Sequence, residues 1–251
     1  MNRRRWLLVV AILAIVLLAI LGPNRRPGPG STATGHPTGQ PTGQPTVSPA
    51  VSSPVSPPRS ASLAAGSLAT LLDLLPVQAE ERTGYDRSFF VHWIDTDGDG
   101  CDTRREVLIE EAVVAPIVGN DCRLSGGRWH SLYDDIETTT PGDFDIDHLV
   151  PLAEAWDSGA SGWTEARRTA FANDLGVPWS LIAVTATSNR AKSDGDPADW
   201  QPPLVSVQCR YAADWIAVKV RWALAIDPIE RAVLASYSTT CPDTRSIVLA
   251  P

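Results

Sequence analysis

The sequence predicts an α+β domain over residues 63–251, and three observations carry that reading. Phe144-Asp-Ile-Asp-His148 and Leu181-Ile-Ala-Val-Thr185 are short runs with the length and composition of strands. Tyr211, Trp215, Val218 and Trp222 recur at i, i+4, i+7 and i+11, which puts them on one helical face that must be buried. Asp227-Pro-Ile-Glu230 then supplies an N-cap residue, a proline at the first helical position and a glutamate at the third, so a second helix begins there.

Residues 1–21 read as an export signal or a membrane anchor. Arg3 to Arg5 precede the uncharged apolar run Trp6 to Leu21, and Gly22-Pro23 and Arg25-Arg26 follow it. The run is shorter than the roughly 20 residues that span a bilayer, which favours a signal peptide. Ile20 and Leu21 leave no small-x-small cleavage site beside it, which favours an anchor that contacts the membrane. Either way the domain is expected outside the cytoplasm, secreted or anchored in the cell envelope. Residues 22–62 hold ten of the 21 prolines and the repeated block from Pro37 to Thr46, so they are expected to be a disordered, semi-extended linker.

Within the domain, Leu63 to Leu75 reads as a short apolar helix and Phe89 to Ile94 as an aromatic strand. Arg123 to Leu132 looks like a hairpin turning at Gly126-Gly127, and Trp163 to Asn173 like a helix.

Residues 1–62 contain six arginines and no acid. The body therefore carries 15 Lys and Arg against all 29 Asp and Glu, a formal charge of −14. Such a surface excludes nucleic-acid binding by bulk positive potential, and any contact of that kind must be local or metal-assisted. Cys101, Cys122, Cys209 and Cys241 form an even set, which in an exported chain suggests two disulfides; zinc would require ligands paired at short spacing. Cys209 opens one C-terminal helix and Cys241 follows the other, so antiparallel packing pairs them and leaves Cys101 with Cys122.

The residues with most chemical content are Asp147-His148 and Ser188-Asn189-Arg190-Ala-Lys192. Adjacent residues on a strand point to opposite faces, so one can hold a divalent cation while the other works on a water. Asn189 follows Ser188, a good N-cap residue, so its amide is expected in the first turn of a helix. One carboxylate and one amide oxygen, completed by waters, is the hard-oxygen set that magnesium or manganese accepts. Phosphodiester hydrolysis needs such a cation together with a base for the attacking water.

Asp145-x-Asp147-His148-x-x-Pro151 with Asn189-Arg-x-Lys192-x-Asp194 resembles the ββα-metal core of HNH endonucleases, including those of CRISPR effector nucleases and modification-dependent restriction enzymes. The longer pattern resembles the exported HNH endonuclease family proteins of bacteria. It includes Thr83-Gly-Tyr-Asp-Arg87, Asp99-Gly-Cys-Asp-Thr-Arg104, Pro151 to Ala160, Phe171-Ala-Asn-Asp174, Ala183-Val-Thr185 and Asp196 to Pro203, spread over residues 80–222. The resemblance implies a metal-dependent nuclease acting on nucleic acid, DNA first. Asp147 and Asn189 match the metal-binding positions and His148 the general base, with Arg190 and Lys192 beside substrate phosphate. Many HNH motifs carry an asparagine ahead of the second strand to orient the base, and the nearest position here is Ser180. The competing class is a non-catalytic, calcium-stabilised envelope binding module on the same fold.

Asp95-Thr-Asp97-Gly-Asp99-Gly100, followed by five residues and Glu106, fits the spacing of a calcium loop. Thr103-x-x-Glu106 fits a capping box equally well, and then the segment is a capped tight turn. Arg104, just past the loop, either faces the active site or pairs with an acid.

Overall fold

The N-terminal strand β1 (Ser62–Ser67) is the first element of a computed structural model that describes residues 62–241 and 244–251. The expected signal or anchor, and the linker except its last residue, lie outside the described residues. β1 pairs antiparallel with the final strand β8 (Arg245–Leu249), with Gly66 opposite Ser246. Helix α1 (Leu68–Leu72) follows at once, and the Ser67 hydroxyl caps it by accepting the Thr70 N–H. The helix expected from Leu63 is therefore half strand. Its pairing partner lies at the opposite end of the chain, where no local pattern could announce it.

The aromatic strand expected over Phe89 to Ile94 is replaced by a 3₁₀ turn, Arg87–Phe89, capped by Asp86, and by irregular backbone with Trp93 at φ 60°. The rings explain the difference. Phe90 is buried in the core and Phe89 stacks on Trp156 at 5.4 Å, so consecutive residues serve one packing site and not the two faces of a sheet.

Helix α2 (Thr103–Glu110) starts at Asp102, whose carboxylate accepts the Arg105 N–H, so Thr103 is not the cap. Two small antiparallel ladders follow, β2 (Ile117–Val118) with β3 (Leu124–Ser125) and β4 (Trp129–His130) with β5 (Glu137–Thr138). Gly126 and Gly127 do turn the chain, both at positive φ, but the strands on either side pair elsewhere and the expected hairpin is not formed. A Cβ at Gly127 would lie 2.8 Å from the Trp129 ring.

Strand β6 (Phe144–His148) pairs antiparallel with β7 (Leu181–Thr185), both as the sequence predicts, with Phe144 opposite Thr185 and His148 opposite Leu181. Between them run α3 (Leu152–Asp157) and α4 (Glu165–Ala172), the latter capped by Thr164 within the expected helix. Helix α5 (Ala186–Lys192) leaves β7 without a loop. Helices α6 (Gln208–Trp222) and α7 (Pro228–Thr240) complete the helical part, and α7 is capped by Asp227 as expected. Glu230 does not close a capping box; it turns inward to Trp215 and Lys219.

The β6–β7 pair is buried on both faces. Phe144, Ile146, Leu181 and Ala183 meet Val107 and Leu108 of α2 and Trp129, whose indole donates to the Leu108 carbonyl at 2.6 Å. Ile182 and Val184 face the larger core, built around Trp215, Tyr211 and Trp222 of α6. Disulfides join Cys101 to Cys122 and Cys209 to Cys241, the pairing that the helix geometry predicts. Helices and small sheets thus share one α+β unit. Among the described residues no helix is long and apolar enough to cross a membrane.

Candidate functional site

A cavity of about 250 Å³ opens where β6 ends and α5 passes over it; Asp147, His148, Asn189, Arg190, Arg87 and Asp194 are among the residues that line it. Strand alternation positions the first two. His148 shares the face of Phe144 and Ile146, whereas Asp147 points to the face that α5 covers.

His148 is buried, with Trp93 at 5.4 Å between ring centroids and His92 at 6.2 Å. Its Nε2 lies 2.9 Å from the carbonyl oxygen of Ala172, at the end of α4. A carbonyl only accepts, so Nε2 carries the proton and Nδ1 is left with a free lone pair. Burial pushes the imidazole down to about 3, outweighing the Ala172 hydrogen bond, so the ring is neutral at physiological pH. The Ala172 carbonyl, and not Ser180, orients this ring. Ser180 donates instead to Asp174 at 2.8 Å, within a cluster where Asp174 also accepts from Arg221 and Trp222.

Asp147 is held at both oxygens. Tyr133 donates its hydroxyl to Oδ2 at 2.6 Å and Lys192 donates to Oδ1 at 2.9 Å. Burial raises the carboxyl, while the lysine and the tyrosine oppose that rise. Each oxygen keeps a further lone pair, so neither hydrogen bond forbids a cation.

Asn189 lies in the middle of α5 and not in its first turn. Thr185 is the N-cap, and its hydroxyl accepts the Ser188 N–H. The Asn189 amide nitrogen donates to Asp145 Oδ2 at 3.3 Å, which leaves its oxygen as the free end. A carboxylate from the strand and an amide oxygen from the helix, lining one cavity, form a donor set that suits a hard divalent cation.

Lys192 and Arg104 stand apart from the cavity lining. Lys192 is buried and donates to Asp147 and to the His148 carbonyl at 3.0 Å, so the expectation that it lies beside substrate phosphate is replaced by an internal contact. Arg104 donates to the Phe144 carbonyl at 2.8 Å and so braces β6; neither expected alternative, facing the site or pairing with an acid, describes that contact. Arg190 is exposed at the cavity, and Arg87 joins it there. Sequence reasoning missed the roles of Ala172 and Tyr133. The first acts through its backbone, which leaves no side-chain signal, and the second is an isolated tyrosine outside any motif.

The Asp95 segment is a compact turn. Asp95 accepts the Gly98 and Gly100 N–H groups and Asp99 accepts the Cys101 N–H. Carboxylate oxygens of Asp95, Asp97 and Asp99 all lie within 4.8 Å of one another. Glu106 Oε2 is buried without a hydrogen-bond partner, and burial and then Asp97 raise its carboxyl.

Residues 118–232 match the family model of the GmrSD restriction endonucleases, C-terminal domain, a stretch that includes β6, β7, α5 and α6. An uncharacterized secreted protein of the fungus Arthroderma benhamiae is 42% identical over 179 residues, covering 71% of this chain and 86% of that protein. Relatives of the chain are therefore not confined to bacteria. No solved structure gives a significant match. Identity of that extent across most of both chains places this chain in one family with the secreted fungal protein, and the part of it that forms the cavity is similar to the GmrSD C-terminal domain.

Proposed function

We propose that the protein is a metal-dependent endonuclease of the HNH type, hydrolysing phosphodiester bonds in nucleic acid, DNA first, outside the cytoplasm. One observation carries the reading: His148 spends Nε2 on the Ala172 carbonyl and keeps Nδ1 free, in the same cavity as Asp147 and Asn189. The antiparallel pairing of β6 with β7 and the helix α5 that follows β7 support this reading, with α3 and α4 inserted between the two strands. The secreted relative and the run at residues 6–21 support a location outside the cytoplasm, with the membrane as a partner if that run is retained.

His148 Nδ1 accepts a proton from the attacking water as its oxygen approaches phosphorus, and the Ala172 contact holds the ring in the tautomer that allows this. Asp147 and the Asn189 amide oxygen would hold magnesium or manganese. Once bound, such a cation neutralises charge developing on the phosphate and the leaving oxygen. Arg190 and Arg87 offer local positive charge for backbone phosphates, which the net charge of the body does not supply. Tyr133 and Lys192 fix the Asp147 rotamer.

The test is nicking of supercoiled plasmid by the full chain with magnesium or manganese, repeated with chelator and with His148→Ala. The variant is expected to lose ~10² to 10⁴ in rate, the usual cost of removing a positioned proton acceptor. Equal cleavage by parent and variant would place the base elsewhere. An inert, metal-saturated parent would favour the binding-module reading.

A further inference from the structure

A second cavity, of about 180 Å³, shares Asp194 with the candidate nuclease cavity and is lined mainly by carboxylates. It includes Glu80, Glu154, Asp194, Asp196 and Asp227, with Arg82 as the cation on its wall. Ligand oxygens of Glu80, Glu154 and the adjacent Asp157 all lie within 4.8 Å of one another. Two oxygens bound to a common calcium ion at about 2.4 Å can be at most that far apart, so the three are close enough to share one.

Two independent features distinguish this cluster from an ordinary acidic patch. Asp157 is 2% exposed, and its Oδ1 is buried without a hydrogen-bond partner. Its other oxygen accepts Arg82 at 2.5 Å, so one arm is satisfied and the other is left over. A buried oxygen with no donor has given up its hydration without a replacement, which favours a ligand there. Glu154 is also 2% exposed; Lys219 at 2.7 Å and Ser158 at 2.6 Å both donate to Oε1. Lys219 is shared with Glu230, so the cluster remains short of positive charge. The alternative cluster of Glu80, Asp196 and Asp227 is less suited. Asp196 accepts the Ala198 and Asp199 N–H groups, and Asp227 caps α7.

We infer that Glu80, Glu154 and Asp157 form a cation site, distinct from the Asp147 cavity and from the Asp95 turn, that takes a hard divalent ion of calcium type. The ion ties the segment carrying Glu80 and Arg82 to α3. Arg82 in turn reaches Asp194 at 3.8 Å, a residue common to both cavities, so the site braces one wall of the nuclease cavity.

Calorimetric titration of calcium chloride into the full chain tests the assignment, using Asp97→Ala throughout to weaken the Asp95 turn. Glu80 is exposed as a residue, so Glu80→Gln leaves the core untouched. Glu80→Gln is expected to remove one bound calcium from the stoichiometry or to weaken it at least about tenfold, from a dissociation constant on the order of 10⁻⁴ to 10⁻³ M. Glu81→Gln, an equal charge change one residue away, is expected to leave that ion in place. Unchanged binding in Glu80→Gln overturns the site. An equal loss in Glu81→Gln overturns it in favour of general surface charge.

Discussion

Lys192 donates to Asp147 at 2.9 Å in a contact where the lysine side chain is fully enclosed and the aspartate 5% exposed. Helix α5 thereby grips β6 from the inside. Breaking such a pair on one side leaves a buried charge without a partner, typically at a cost of 3–5 kcal/mol. Lys192→Met is therefore expected to lower stability by about 3 kcal/mol in urea denaturation. Adding Asp147→Asn should recover part of that loss. If the double variant is as unstable as the sum of both singles, the pair does not act as a unit.

The Cys209–Cys241 bridge closes the α6–α7 hairpin across 32 residues. Restricting the unfolded chain over that separation contributes roughly 3–4 kcal/mol. Cys209→Ser with Cys241→Ser should lose about that much, measured as a lower midpoint of denaturation. A change under about 1 kcal/mol would mean that α6 and α7 hold together by packing alone.

Glu111 gives a stability effect that depends on pH. Its carboxylate accepts the Ala183 N–H at 2.8 Å, and burial pushes it up to about 7 from a usual value near 4.5. The folded state thus keeps a proton that the unfolded chain releases earlier. Its contribution is complete below about pH 4.5 and is lost as pH rises towards 7. Glu111→Gln keeps an acceptor for Ala183 and removes the titration, so parent minus variant stability should fall between pH 4.5 and 7 and be level above. A difference that rises across that window would contradict the assignment.

At the Asp95 turn, three converging carboxylates and the unpartnered Glu106 oxygen suit a structural calcium ion. Millimolar calcium should raise the melting temperature of the full chain, and Asp97→Ala should reduce that rise. An identical rise in the variant would leave the segment as a turn capped through Asp102.

How much of this was legible in the sequence depends on range. Strands β6 and β7 and helices α6 and α7 announce themselves because each carries its own pattern or cap, as Asp227 and Pro228 do. β1 does not, because β8 supplies its ladder from the far end of the chain. Asp147, His148 and Asn189 were readable from motif spacing, and the structure brings them to one cavity. The Ala172 carbonyl and the Tyr133 hydroxyl were not, since contacts at sequence separations of 24 and 14 depend on packing that no local spacing records. Lys192 shows the converse. A lysine beside a nuclease-like motif suggests phosphate, but its place on the inner face of α5 directs it to Asp147.

The Asp145–Asn189 contact sets which end of the amide faces the cavity. An amide can present either its nitrogen or its oxygen to a cation, and only the oxygen binds one. Asp145 takes the nitrogen at 3.3 Å and so turns the oxygen outward, an orienting role of the kind whose loss commonly weakens metal affinity by ~10 to 100-fold. Asp145→Ala is therefore expected to raise the manganese concentration for half-maximal plasmid nicking about tenfold, with the rate at saturation nearly retained. Asn189→Ala, which removes the oxygen itself, should raise it at least as much. If Asp145→Ala leaves the requirement unchanged while Asn189→Ala raises it, the amide is held by something else. If both leave it unchanged, Asn189 is not a metal ligand and the cation would have to rest on Asp147 and other groups of the cavity.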